Sequence, residues 1–249
     1  MAGRRDADLA AAVLEANLAV PAAGLAQMTW GNVSGVDRGR GVYLIKPSGV
    51  PYPELTADLL VTVSLEDGRV VAGELRPSVD SETHRALYLR FPELGGIAHT
   101  HSAYATAFAQ AQLDIPVLGT THADVFNGPI PCARVLTRPE CAAEYVRNTG
   151  FVLADEVIRR GRSPLAVPAA LAANHGPFTW GESPAEAVEH AEVCEAVAKL
   201  ALLTLQLAPG ARPPAHVVEL HYRRKHGPGA TYGNPGFSLP PGSSPAGSK

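Results

Sequence analysis

Cysteine is scarce in this chain. There are three in 249 residues, Cys132, Cys141 and Cys194, at spacings that form no C-x-x-C. That excludes a disulfide framework and a thiolate zinc cluster, and it predicts ordinary thiols in a reduced, cytoplasmic protein. An excess of charge is missing too: 21 Lys and Arg against 24 Asp and Glu leave a net charge of −3. Such a balance carries no electrostatic footprint for nucleic acid or for an anionic membrane. No apolar run approaches the length of a membrane span, and Met1–Asp6 lacks the apolar core of a secretory leader. Internal repeats are absent. What the chain does have is apolar mass, 46% of its residues. That suffices for one substantial core, so residues 1–234 are expected to form one domain and the Gly/Pro/Ser-rich residues 235–249 a disordered tail.

Apolar periodicity and punctuation place the elements. Leu9, Val13, Leu14 and Leu18 recur at helical spacing before Pro21 and Gly24. Residues 42–46 and 60–65 read as strands, and Asp67-Gly68 suits a hairpin turn into Val70-Val71. Residues 29–34 read as a turn, 117–118 as a short strand, and 169–173 as an apolar strand. Helices are expected over 81–90, 104–111, 140–160 and 216–226. Ser183-Pro184-Ala185-Glu186 has the form of a capping box with proline at the first helical position, opening a helix that runs to about Leu207. Helices interleaved with hairpin strands predict a three-layer α/β/α fold around a mixed, largely antiparallel sheet.

The residues that draw attention are His99 and His101, at the end of the apolar run Gly95–Ala98. On a strand, positions i and i+2 share a face, so two imidazoles would enter one small volume. Neutral imidazole is a good ligand for Zn²⁺ and similar ions. His175 ends another apolar strand in the same way, and Asp80 stands at the mouth of the helix over 81–90. Three histidines and a carboxylate could make a metal site, although Asp80 taken by itself reads first as an N-cap. Gly31-Asn32, Ser48-Gly49 and Ser78 lie in small polar turns, a setting that offers N–H groups and hydroxyls to an anion such as phosphate, and Lys46 adds positive charge. Each turn taken alone is also an ordinary use of Gly, Ser and Asn. Trp30 and Trp180 read as core or interface residues.

These segments resemble the class II aldolase/adducin family and, within it, the 4-epimerases of L-ribulose 5-phosphate. The likeness is carried by residues 14–18, 29–34 (TWGNVS), 45–50 (IKPSGV), 95–102 (GGIAHTHS), 119–124 (GTTHAD), 175–178 (HGPF) and 221–227 (HYRRKHG). It implies zinc, one per subunit, on His99, His101 and His175. It places Asp80, where the aldolases keep a catalytic glutamate, as a fourth ligand; Mn²⁺ or Co²⁺ suits the same donors. It implies sugar-phosphate binding by Gly31, Asn32, Lys46, Ser48, Gly49, Ser78, Val79 and Thr120. It makes Asp124 and Tyr232 the acid/base pair, with His221 beside them, in a homotetramer of fourfold symmetry whose active sites lie at subunit interfaces. Val79 departs from the epimerase pattern, which has a second serine there, so only its backbone N–H remains for the phosphate. The implied reaction is retro-aldol cleavage, aldehyde rotation and re-addition. A sugar-phosphate aldolase of the fuculose or rhamnulose type is the alternative, and Asp80 together with Asp124 argues against it. A non-catalytic adducin-type module is disfavoured by the three retained histidines.

Overall fold

The computed structural model of the chain describes residues 2–227 and 230. Seven strands form one sheet in the order β4-β3-β2-β1-β5-β7-β6. They are β1 (Asn32–Asp37), β2 (Val42–Ile45), β3 (Val61–Ser64), β4 (Val70–Ala72), β5 (Gly96–His99), β6 (Ala169–Ala172) and β7 (Gly176–Gly181). Every pairing between them is antiparallel, and the one parallel contact among the described residues is an isolated bridge between Cys132 and Leu171. The helices are α1 (Ala2–Ala22), α2 (Ser81–Arg90), α3 (Ala103–Ala111), α4 (Thr120–Ala123), α5 (Arg138–Arg159), α6 (Pro184–Leu207) and α7 (Ala215–His226).

Side-chain alternation sorts the sheet residues onto two faces. Tyr43, Ile45, Ile97, Phe178 and Trp180 pack with Leu87 and Tyr88 of α2 and with Val152 and Leu153 of α5. Val33 and Ala98 face the other way, onto Ala16 and Val20 of α1 and Ala187, Val188 and Ala191 of α6. The layers are therefore α/β/α. A Cβ on Gly96 would lie 2.4 Å from the Ser183–Pro184 backbone, so a glycine is what lets the start of α6 sit directly on β5. Ser183 caps α6 by accepting from Glu186 N, but Glu186 returns its carboxylate to Glu182 N at 2.6 Å, so the capping box closes one residue early. The full box forms instead at α5, between Thr137 and Glu140.

Three readings of the sequence need correction. Asn32–Asp37 is a strand, not a turn. Its polar residues are buried because β1 lies inside the sheet, and the Asn17 side chain bonds both Val33 N and Val33 O where β2 has ended. Residues 117–118 form no strand; the ordered pairing nearby is the bridge Ile115–Ile130. Finally, β5 stops at His99, so His101 lies beyond the strand. The two tryptophans divide: Trp180 is fully buried in the core, and Trp30 is half exposed.

Candidate metal centre and anion cleft

His99 is the most constrained member of the site. It ends β5 in register with Asn32 of β1 and Phe178 of β7. Its ring stacks on Phe178, with centroids 4.2 Å apart and planes 16° from parallel. His99 Nδ1 lies 2.9 Å from the Pro177 carbonyl oxygen. A carbonyl only accepts, so Nδ1 carries the proton and Nε2 presents its lone pair. An outer acceptor of this kind is what orients and tautomerises a metal-binding histidine.

His101 leaves the strand but still reaches the same point: its Nε2 lies 3.1 Å from His99 Nε2. His175, in the turn between β6 and β7, completes the set, with one ligand nitrogen from each ring within 4.8 Å of the others. Among the described residues no other cluster of three such ligands forms. Burial pulls all three imidazoles below the ordinary histidine value, His99 to about 3. They are therefore neutral at pH 7, and neutral donors are what a divalent cation requires. His175 Nδ1 is also buried without a hydrogen-bond partner among the described residues. Facing lone pairs and an orphaned ring nitrogen fit a bound metal ion.

Asp80 occupies the N-cap position of α2, yet its side chain caps nothing. Its carboxylate accepts from Asn32 Nδ2 at 2.8 Å and lies 3.9 Å from His99 Nε2. The capping alternative therefore fails, and the carboxylate stands at the edge of the histidine trio. Burial pushes this carboxyl up, but His99, His84, His175 and the Asn32 amide outweigh it and hold it below the usual range.

An open cleft of ≈ 410 Å³ adjoins the trio. Gly31, Asn32, Lys46, Ser48, Gly49, Ser78, Val79 and Asp80 line it together with His101 and His175. The anion-binding turns and the metal ligands are thus brought into one place. Val79 is 71% exposed at the rim. Sequence reasoning placed neither Thr29 nor Tyr52 at the site and read Trp30 as a core or interface residue. Thr29 and Trp30 line the cleft, the Trp30 ring lies 6.0 Å from His101, and Tyr52 donates to the Trp30 carbonyl at 2.9 Å. A tryptophan beside Gly-Asn was the available signal. Phe178 was missed as well, and only its register opposite His99 reveals it.

Asp124, Thr120 and His221 are not among the residues lining that cleft. Asp124 ends the short helix α4, and its Oδ1 accepts from His221 Nδ1 of α7 at 2.9 Å. His226 Nε2 donates to the Asp124 carbonyl at 2.8 Å. Thr120 opens α4 and is exposed. Tyr232 lies outside the described residues.

Residues 11–202 match the family model for the class II aldolase and adducin N-terminal domain. The chain belongs to this family. A class II aldolase/adducin relative from Salmonella paratyphi A (strain ATCC 9150 / SARB42), L-ribulose-5-phosphate 4-epimerase UlaF, is 48% identical over 222 residues. The match covers 89% of this chain and 96% of the relative. Among solved structures, an L-fuculose 1-phosphate aldolase superposes with a TM-score of 0.72 at 24% identity, covering 87% of this chain and 95% of the other, a likeness of fold. The L-fuculose-1-phosphate aldolase of Thermus thermophilus gives 0.63 at 28% identity, over 84% of this chain and 99% of the other. Among the described residues, no helix is long and apolar enough to cross a membrane.

Proposed function

We propose that this chain interconverts L-ribulose 5-phosphate and D-xylulose 5-phosphate in the cytoplasm, breaking and remaking the C3–C4 bond with inversion at C4. The observation that carries the reading is the convergence of three neutral imidazoles beside a cleft that also offers Lys46, Ser48 and Ser78. The 48% likeness to a protein named as this epimerase selects the reaction within the family.

His99, His101 and His175, with Asp80 beside them, would hold a divalent cation, for which zinc suits the donor set, and it would supply Lewis acidity to the reaction. The chain's own groups do the rest. Cleavage of C3–C4 gives the enediolate of dihydroxyacetone and glycolaldehyde phosphate. Lys46, the Gly31-Asn32 and Ser48-Gly49 turns, Ser78 and the Val79 N–H hold the phosphate while the aldehyde turns its other face. Asp124 takes the C4 hydroxyl proton on cleavage of one epimer, and Tyr232 serves the other. His221 orients the Asp124 carboxylate through its Nδ1–H, and Thr120 contacts substrate at the start of α4. Asp124 and His221 lie outside the cleft lining of their own chain, and a homotetramer of fourfold symmetry, the assembly the family likeness implies, would join the two half-sites across subunit interfaces.

The test is a coupled assay for D-xylulose 5-phosphate from L-ribulose 5-phosphate. Turnover should vanish with chelator and return with Zn²⁺, Mn²⁺ or Co²⁺. Asp124→Asn should lower kcat by roughly 10²–10⁴-fold, the usual worth of a positioned acid/base group. Release of dihydroxyacetone without epimer would instead establish the aldolase reading that the structural neighbours suggest.

A further inference from the structure

His101 is the least constrained of the three histidines. It is exposed and lies in a three-residue connection, Thr100–Ser102, between β5 and α3. The upstream end of that connection is anchored by β5 and by Thr100 N donating to Pro177 O at 3.3 Å. The downstream end is the N-terminus of α3, whose first N–H groups have no partner within the helix. Ser102, at the N-cap, makes no capping hydrogen bond and instead accepts from Thr100 Oγ1 at 3.2 Å.

A carboxylate from another helix does the capping. Glu195 of α6 accepts from Tyr104 N at 2.9 Å through Oε1 and at 3.1 Å through Oε2, and from Ala105 N at 2.9 Å through Oε2. An ionised carboxylate on helix N–H groups makes strong, directional bonds and complements the helix dipole. Its base is rigid, because the neighbouring Cys194 is fully buried in the core that α6 shares with Ala105, Phe108 and Ala109 of α3.

We propose that Glu195 is a positioning residue for the metal centre: by clamping the first turn of α3 to α6, it fixes the connection that carries His101. This rests on the reading of His101 as a metal ligand. Outer contacts that orient ligands change metal affinity by roughly 10–100-fold when removed.

The experiment measures Zn²⁺ affinity of the full chain by competition with a chromophoric chelator, and the absorption bands of the Co²⁺ form. The variants are Glu195→Ala, Glu195→Gln, His101→Ala and Ser183→Ala. Ser183 caps α6 through Glu186 N at 3.2 Å and is not among the metal-site residues, so its variant reports the effect of losing any helix cap. Glu195→Ala should bind Zn²⁺ roughly tenfold or more weakly and shift the Co²⁺ bands, with Glu195→Gln between it and wild type. Ser183→Ala should leave both unchanged. If either Glu195 variant folds and binds Zn²⁺ as tightly as Ser183→Ala does, with unshifted Co²⁺ bands, the inference is overturned. If His101→Ala binds Zn²⁺ like wild type, the underlying metal-site reading fails instead.

Discussion

Lys46 has the most to reveal under a single substitution. Its side chain is 2% exposed, and Nζ finds only the Thr29 and Pro47 carbonyl oxygens, each at 3.5 Å, and the Tyr52 ring at 4.8 Å. Among the described residues no carboxylate pairs with it, and burial pulls its pKa below the ordinary lysine value. The free protein therefore carries a desolvated cation at the cleft wall without a counter-charge, an arrangement that is costly until an anion arrives. Replacing it with methionine keeps the length and removes the charge. A hydrogen bond to a charged group contributes about 1.5–3 kcal/mol, so Lys46→Met should raise KM for the sugar phosphate roughly 10- to 150-fold. The same change should stabilise the ligand-free protein by about 1 kcal/mol, or roughly 2–4 °C in Tm for a chain of this size. Steady-state kinetics with L-ribulose 5-phosphate and thermal melts without ligand read the two effects. Opposite signs are the expected outcome. A lower Tm with unchanged KM would refute the reasoning and make Lys46 a structural strut.

Two further outcomes follow from the geometry. Burial holds His84, His99 and His122 at about 4, 3 and 4 respectively, against about 6.5 in an unfolded chain. Below pH 6.5 the unfolded state binds the extra protons, so these three histidines add no pH dependence to metal-free stability above neutrality. That stability should fall by up to about 1.4 kcal/mol per pH unit for each histidine as pH drops toward 4; urea midpoints that stay constant down to pH 5 would contradict this. Gly31 has φ +82 and a Cβ there would lie 2.9 Å from the His99 carbonyl oxygen, whereas Gly24 has φ +71 and open space. Gly31→Ala should therefore cost about 2 kcal/mol or more and weaken Zn²⁺ binding, while Gly24→Ala costs only the roughly 1–2 kcal/mol of left-handed backbone. Equal losses in denaturant melts would remove the claim that Gly31 is there for close approach to β5.

The parts of the fold that were legible in the sequence are those whose local chemistry is self-sufficient. The helix over 81–90 has the observed bounds of α2, and the proline-led start and the end of α6 fall where capping and Pro209-Gly210 place them. β1 and β7 were not legible. Gly, Pro, Asn and Ser mask the strand-forming Val, Phe, Thr and Trp of Asn-Val-Ser-Gly and Gly-Pro-Phe-Thr-Trp-Gly, and these segments are extended because neighbours on both sides bond them. The three histidines singled out in the sequence do come together in space, but the argument from strand alternation describes only His99. His101 reaches the same point from a connection whose course is set by α3 and α6, contacts far away in sequence. The caps misled in both directions: Asp80 looked like one and is not, while Glu195, mid-helix on α6, gave no sign of being one.

The strand order also bears on how the protein reaches its native state. β1 to β4 form a meander whose neighbours in space are neighbours in sequence, so its pairings close short loops. The His99–Pro177 bond joins residues 78 apart, and β5 pairs on one side with β1 and on the other with β7. Loop-closure entropy makes contacts of such separation slow to form relative to hairpins. The three histidines therefore come together only after the non-local half of the sheet has closed. A partly folded chain would hold the meander without the metal centre, and during refolding the ability to capture a divalent ion would appear later than most of the protein's secondary structure.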